Sequence, residues 1–133
     1  MRDETFDFGV PWEGLYGYSQ ARRVGDTVYV SGQLSHDEKG VFVGEGDFAL
    51  QTATTLANLD RVLAHFGATR AQIVETTVLV RNLREHFDTV ARLHREYVGE
   101  RRPTSTVMGV SDLALPEQLV EIGAVVRLDL PGA

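Results

Sequence analysis

The last strand of the chain constrains the fold more than any other segment. Between residues 119 and 130 the side chains alternate with a period of two, the pattern of a β-strand whose two faces meet different surroundings. One face carries only apolar side chains: Val120, Ile122, Ala124, Val126, Leu128 and Leu130. The other face carries a mixture that is unusual for solvent exposure: Glu121, Gly123, Val125 and Arg127. We therefore expect helices against the first face and a different partner against the second.

Two segments have the periodicity of helices. Asp47 can cap a helix that runs to Phe66, with Gly67 as its stop. Three- and four-residue spacing predicts one buried face on it: Ala49, Ala53, Leu56, Leu59, Leu63 and Phe66. A second stripe predicts another helix, with His94 as a partly buried, hydrogen-bonded histidine: Leu83, Phe87, Val90, His94 and Tyr97.

The remaining segments are typical of strands. Residues 15–24 and 27–31 flank the turn formers Gly25-Asp26 and predict a hairpin. Residues 73–80 and 104–110 predict two further strands. The pattern indicates an α+β fold, a β-sheet with two helices on one face, so the other face has no cover from within the chain. Association through that face would place Glu121 near a subunit boundary.

Composition narrows the class of protein. A chain of 133 residues with 43% hydrophobic content can bury one core, so we expect a single domain over residues 1–133, with 1–14 as an N-terminal arm. The net charge of −6 disfavours a nucleic-acid partner, because phosphates require a positive surface. We expect no membrane partner and no secretory signal, since long apolar runs are absent. The absence of cysteine suits a cytoplasmic protein.

Three separated motifs carry a resemblance to a known family. They are Tyr18-Ser19-Gln20-Ala21, Val28-Tyr29-Val30-Ser31-Gly32-Gln33 and Leu119-Val120-Glu121-Ile122. In this order they resemble the Rid (RidA/YjgF) family, whose best-studied members hydrolyse reactive imines and enamines and release ammonia. The resemblance extends from Trp12 onward. It implies a chorismate-mutase-like subunit with a mixed sheet, assembled as a homotrimer whose ligand sites lie in clefts between subunits.

Glu121 is the candidate catalytic residue. Imine hydrolysis needs a base to activate water and an acid to protonate the departing nitrogen, and one carboxyl group can do both in turn. The family places a functional glutamate at this position. The plain alternative is an exposed strand glutamate without a catalytic role. A second glutamate, common two residues later in the family, is replaced here by Gly123.

Tyr18, Ser31 and Gly32 match family positions that line the same cleft. The Tyr18 ring could cover a planar substrate, and its hydroxyl could hold a polar end. Ser31 and the backbone at Gly32 could bind a substrate oxygen, because glycine allows close approach to the main chain. The alternatives are that the tyrosine only packs and that Ser-Gly only marks a β-bulge.

The segment Arg102-Pro103-Thr104-Ser105-Thr106 departs from the family pattern. In the family it carries an arginine that binds the substrate carboxylate, and counting from Pro103 that position is Ser105. Serine cannot replace the charge or the bidentate geometry of a guanidinium group. The hydroxyls of Ser105 and Thr106 suit a neutral polar substrate better, and we count both among the substrate-binding candidates.

These features favour a Rid-family protein that hydrolyses a small imine or enamine other than the usual carboxylate-bearing 2-aminoacrylate type. The alternative is a homologue that binds a small metabolite, or regulates, without turnover. We expect no cofactor. We expect no metal either, since the four histidines lack metal-ligand spacing and cysteine is absent.

Overall fold

A six-stranded sheet forms the centre of the molecule. The structure is a computed structural model that describes residues 1–133. The strands are β1 (Asp3–Phe6), β2 (Ala21–Val24), β3 (Thr27–Gln33), β4 (Ile73–Arg81), β5 (Thr104–Val110) and β6 (Val120–Arg127). Their order across the sheet is β1-β2-β3-β6-β4-β5, and only β4 and β5 run parallel. The sheet is therefore mixed, which confirms the predicted α+β class.

Three helices accompany the sheet: α1 (Pro11–Tyr16), α2 (Phe48–His65) and α3 (Leu83–Val98). The Asp47 side chain caps α2 by accepting a hydrogen bond from the Leu50 N–H at 3.0 Å. Gly67, just beyond the end of α2, has a φ of +66°, which favours glycine. The predicted start and stop of this helix are both confirmed. Its predicted buried face is confirmed for Leu56, Leu59 and Leu63 but is wrong for Ala49 and Ala53, which are exposed.

Helices α2 and α3 pack on one face of the sheet and enclose the core. Leu59 and Val62 of α2 are fully buried against the sheet, and Val90 of α3 is 2% exposed. Phe87 departs from its predicted stripe, because it is 46% exposed. It lies near the start of α3, where it lines a surface depression with residues such as Asn82 and Gly109 rather than the core.

The two-sidedness of the last strand is confirmed. Its apolar face is buried against the helices: Val120, Ile122, Ala124 and Val126 are at most 6% exposed. The strand ends at Arg127, so the predicted extension to Leu130 was too long. The chain turns there, with the Leu130 N–H donating to the Arg127 carbonyl at 3.4 Å.

The opposite face, which we call the open face, is covered by neither α2 nor α3. Register pairs Glu121 with Leu79 of β4, and Gly123 with Thr77, so these four side-chain positions share it. Tyr29 of β3 also lies on it, opposite Val125, and is 54% exposed. The face thus retains a large aromatic side chain in an exposed position.

The predicted strand from Leu15 to Val24 is wrong in its first half. Pro11 begins helix α1 at a position that needs no N–H donor, and Gly17 ends it with a φ of +87°. The strand β2 begins only at Ala21. Residues 1–14, expected as an arm, contain β1, which pairs with β2 as the edge strand of the sheet.

Candidate active site

Glu121 is the second residue of β6, with its carboxyl group half-buried on the open face. Burial raises the pKa of this carboxyl above its ordinary value, and a hydrogen bond from Gln118 opposes the shift. That bond is long, 3.4 Å from Gln118 Nε2 to Glu121 Oε1. No arginine, lysine or histidine forms an ion pair with this carboxyl. Glu121 can therefore hold a proton more readily than an ordinary glutamate.

A β-bulge in β3 makes room for the Glu121 side chain. Val30 pairs with Ala124 and Gln33 with Ile122, so three steps along β3 match two along β6. The extra residue falls at Ser31-Gly32, as the bulge interpretation predicted. A Cβ atom added to Gly32 would lie 2.6 Å from Glu121 Cγ and closer still to the carboxylate oxygen Oε2. A side chain at position 32 would therefore displace the Glu121 carboxyl, which crosses directly over this glycine.

Tyr18 and Ser31 lie close together, where the segment Tyr18-Ser19-Gln20 meets strand β3. Ser31 Oγ donates to the Ser19 carbonyl at 2.7 Å, and the Ser31 N–H donates to the Gln20 carbonyl at 2.8 Å. Burial raises the pKa of the Tyr18 hydroxyl, a hydrogen bond from Gln20 lowers it, and the negative charges of Glu13 and Glu121 raise it further. The two carboxyl groups therefore lie within electrostatic range of the phenol.

A buried polar network that the sequence analysis did not assign supports these residues. Gln20 Nε2 donates to Glu13 Oε2 at 2.9 Å, and Gln33 Nε2 donates to Gln20 Oε1 at 2.9 Å. All three side chains are at most 7% exposed. Gln20 and Gln33 stand inside the motifs that carry the family resemblance, and Glu13 follows a proline at the start of a helix. These positions in the sequence are the only features that could have indicated the network beforehand.

Two adjoining cavities border this region. A cavity of about 690 Å³ is lined by residues that include Asp7, Glu13, Tyr18, Arg22 and Ser31. A smaller one of about 270 Å³ is lined by residues that include Gly32, Glu75, Thr77, Glu121 and Gly123. Tyr29 and Val30 line both cavities, so the two are neighbours, and we call the pair together the Glu121 cleft.

Within one chain, Ser105 and Glu121 lie on opposite faces of the sheet. Ser105 pairs with Thr76, which in turn pairs with Ala124, so its side chain lies on the helix-covered face of the sheet. There Ser105 Oγ hydrogen-bonds Thr76 Oγ1 at 2.8 Å, and the same Thr76 oxygen bonds His94 Nε2 at 2.8 Å. The prediction of a partly buried, hydrogen-bonded His94 is confirmed, and burial lowers the pKa of its imidazole.

Thr106 lies on the other side of β5. It pairs with Thr77, the partner of Gly123, and so belongs to the open face together with Glu121. Of the predicted site residues, Glu121 and Gly32 line the smaller cavity, Tyr18 and Ser31 line the neighbouring one, and Thr106 shares the face of Glu121. No group of three or more His, Asp or Glu side chains is placed to hold a metal ion, and no helix is long and apolar enough to cross a bilayer.

Comparison with known proteins identifies the family. Residues 13–128 match the family described as Endoribonuclease L-PSP. A human 2-iminobutanoate/2-iminopropanoate deaminase is 32% identical over 81% of this chain and 77% of its own length. The chain belongs to the Rid family. The 3-aminoacrylate deaminase RutC of Acinetobacter baylyi is 29% identical over 86% of this chain and 89% of its own length.

Solved structures give the same result. A member of the YjgF/YER057c/UK114 family from Mycobacterium tuberculosis superposes with a TM-score of 0.84 and 30% identity, covering 95% of this chain and 99% of that one. A YjgF family protein from Neisseria meningitidis superposes with a TM-score of 0.80 and 25% identity, covering 98% of each chain. The resemblance to the Rid family and to its α+β fold is confirmed, and the similarity to deaminases supports a general deaminase role.

Proposed function

We propose that this Rid-family protein hydrolyses a small imine or enamine, with Glu121 as the acid/base residue, and that its substrate lacks the carboxylate of the 2-aminoacrylate type. The observation that carries the proposal is the state of Glu121. Its carboxyl is half-buried, lies over a glycine at the wall of a cleft and has no cationic partner. A carboxyl with a raised pKa can release and regain a proton during one turnover.

The reaction needs two proton relays, and one carboxyl group can carry both. Ionised Glu121 takes a proton from water as the water oxygen bonds to the C=N carbon, and it passes that proton to the nitrogen, which receives the π electron pair; the product is a carbinolamine. Glu121, ionised again, then takes the proton of the carbinolamine hydroxyl and delivers it to the nitrogen as the C–N bond breaks, so that the C=O bond forms and the electron pair leaves with ammonia. The products are ammonia and a carbonyl compound, so water is the only co-reactant required.

The charge of the cleft supports a substrate without a carboxylate. Its lining includes four acidic side chains: Asp7, Glu13, Glu75 and Glu121. The single cation there, Arg22, already makes a bidentate pair with Asp3, at 3.0 and 2.9 Å. A substrate carboxylate would thus meet net negative charge without a free cation to bind it. A neutral or cationic imine would not be repelled by this charge.

We further propose that the protein is a homotrimer that binds its ligand in inter-subunit clefts. The open face is uncovered, and Ser105 lies on the far side of the sheet from Glu121. Ser105 can contribute to a site with Glu121 only if the two come from different copies of the chain. Its hydroxyl, linked through Thr76 to His94, offers a neutral polar contact in place of a guanidinium group.

The alternative is a Rid homologue that binds a small metabolite without turnover. The observation that favours this alternative is Ser105 at the position expected for the arginine. In the family, that arginine binds the carboxylate of 2-aminoacrylate during the reaction. Under this alternative Glu121 contributes only to affinity. The two functions differ in what happens when the carboxyl is replaced by an amide.

The deciding experiment compares the wild type with Glu121→Gln on a panel of imines with and without a carboxylate, together with calorimetric titration of the same ligands. We expect the wild type to hydrolyse carboxylate-free imines and Glu121→Gln to bind them without turnover, because the amide keeps the shape but cannot accept and return a proton. Full turnover by Glu121→Gln would refute the catalytic role. Binding without turnover by both proteins would establish the alternative.

A second experiment tests the substrate class. Enamines generated from serine by a dehydratase are offered to the wild type and to Ser105→Arg. We expect weak or absent wild-type activity, because losing a charge-assisted bidentate contact removes several kcal/mol and about 1.4 kcal/mol is already a tenfold rate loss. Rapid wild-type turnover that the arginine does not improve would show that the carboxylate site was misplaced.

A further inference from the structure

We propose that Glu13 and Gln20 are positioning residues that make the Tyr18 hydroxyl a hydrogen-bond donor into the Glu121 cleft. This inference rests on the proposed function in one respect: it assumes that the ligand occupies that cleft. It assigns to the ligand an acceptor atom, a carbonyl or hydroxyl oxygen or an imine nitrogen, at the point that faces Tyr18.

The orientation of the Gln20 amide is fixed by its neighbours. Its Nε2 group lies 2.9 Å from Glu13 Oε2, and a carboxylate oxygen only accepts hydrogen bonds. Its Oε1 atom accepts from Gln33 Nε2 at 2.9 Å. Gln33 is fixed in the same way, since its Nε2 group also donates to the Ser31 carbonyl at 3.1 Å. If Oε1 and Nε2 of either amide were exchanged, an oxygen would face an oxygen acceptor instead of a hydrogen-bond donor.

Glu13 is held in turn by the backbone. Its carboxylate accepts hydrogen bonds from the N–H groups of Phe8, Gly9 and Val10 at 2.8, 3.0 and 3.1 Å. With the bond from Gln20 it has four N–H donors, and its side chain is 7% exposed. The position of the carboxylate, and with it the direction of the whole chain of hydrogen bonds, is determined by the start of helix α1.

The result at Tyr18 is a phenol oxygen that faces donors. The second hydrogen of Gln20 Nε2 points to Tyr18 Oη at 3.4 Å. The Trp12 indole N–H, which can only donate, is buried without a partner within bonding distance, yet lies near enough to the Tyr18 hydroxyl to lower its pKa. The one hydrogen bond that the protein makes to the Tyr18 hydroxyl comes from a donor, so the phenol proton is free to point into the cleft.

A ligand in the cleft would accept a hydrogen bond from the Tyr18 hydroxyl. Tyr18 and Ser31 line the larger cavity, and Glu121 lies in the adjoining one. A ligand held there would receive a hydrogen bond from Tyr18 while Glu121 exchanges protons with it. The arrangement favours a ligand that accepts a hydrogen bond at this point over one that donates there.

The test measures the ionisation of Tyr18 directly and needs no turnover. With 3,5-difluorotyrosine incorporated at position 18, the phenol titrates at lower pH than tyrosine, where the chain stays folded, and its ¹⁹F signal reports one residue. We expect Gln20→Leu to raise the pKa of this phenol, because the variant removes a donor that stabilises the phenolate. Gln20→Met gives the same reading should leucine prove too bulky.

The matched control is Gln72→Leu, which removes another buried glutamine that bonds the Leu128 and Leu130 carbonyls instead. It should leave the titration of position 18 unchanged. A Tyr18 pKa that does not rise in Gln20→Leu, or that rises equally in Gln72→Leu, would overturn the positioning role.

A double-mutant cycle on imine turnover gives the second readout. Gln20→Leu should lower kcat roughly tenfold, and it should have no further effect in a Tyr18→Phe background, because it acts through the phenol. Equal losses in both backgrounds would overturn the proposal. Absence of turnover in every variant would count against the proposed function, while the fluorine titration would still decide the role of Gln20.

Discussion

At the scale of single residues, the decisive pair is Glu121 and Gly32. A carboxyl group is placed over a glycine in a bulge, where it loses water and gains only one long hydrogen bond, from Gln118. The sequence indicated both residues, but not that one occupies the space left by the missing side chain of the other. Two predictions follow from this geometry.

The first prediction concerns Gly32→Ala. The added methyl group would overlap the Glu121 side chain, so the carboxyl must leave its position, and overpacking of this kind typically destabilises by about 1–3 kcal/mol. We expect lower stability and a large loss of imine turnover. Urea unfolding and kinetics with Gly132→Ala as control, where a Cβ meets only ordinary contacts to Thr69, would check this.

Combining Gly32→Ala with Glu121→Ala should restore most of the lost stability, because the overlap is then removed. Additive destabilisation by the two changes would show that the carboxyl does not lie over Gly32.

The second prediction concerns stability and pH. Because the pKa of Glu121 is raised in the folded state, the native protein retains a proton that the unfolded chain has already lost. Stability therefore falls as pH rises from the ordinary carboxyl value through the folded-state pKa, and it stays reduced at neutral pH. Glu121→Gln should raise Tm at pH 7.5, and the difference should shrink as the pH approaches 4.5, the ordinary pKa of a glutamate side chain.

Thermal unfolding across this pH range, with the exposed Glu38→Gln as control, would check the second prediction. A Tm difference between wild type and Glu121→Gln that is independent of pH would contradict it.

At the scale of elements, local signals predicted the two long helices and both ends of α2, although Ala49, Ala53 and Phe87 were wrongly assigned to buried faces. The Asp47 cap and the Gly67 stop delimit α2, whose buried residues anchor the sheet that carries Glu121. Asp47→Ala should cost about 1 kcal/mol of stability, because the Leu50 N–H loses its acceptor, while Asp47→Ser should keep most of it. Chemical denaturation of the three proteins is the measurement, and equal stability of all three would exclude a capping contribution.

The short element α1 was missed for a physical reason. Six residues with two exposed apolar side chains, Leu15 at 89% and Tyr16 at 86%, present no amphipathic period to detect. The helix is stabilised instead by Glu13, whose carboxylate accepts the backbone N–H groups before it. Such a contact forms only in the folded chain, so no pattern in the sequence predicts it.

At the scale of the whole molecule, the open face leads to a prediction about assembly. It bears Tyr29, Val125 and Leu79 between charged groups, a surface more apolar than a solvated sheet face requires. We expect a trimer in sedimentation analysis at micromolar concentration. Val125→Lys should disrupt it, because a buried, unpaired ammonium group is costly, whereas Ala57→Lys on the exposed side of α2 should leave it intact.

A stable wild-type monomer would contradict the predicted assembly and remove the basis for a site shared between subunits. A trimer that tolerates Val125→Lys would place the interface elsewhere on the molecule.

The sequence by itself determined the family, the α+β class, the caps of α2 and the buried face of β6, because each depends on motifs or periodicities within one short segment. It also singled out Glu121 and the Ser31-Gly32 bulge. Only the tertiary structure decided which face Ser105 occupies, that Glu121 crosses over Gly32, and that Glu13, Gln20 and Gln33 form one directed network. These contacts join residues distant along the chain, and they depend on strand register and on a one-residue bulge, which no local pattern encodes.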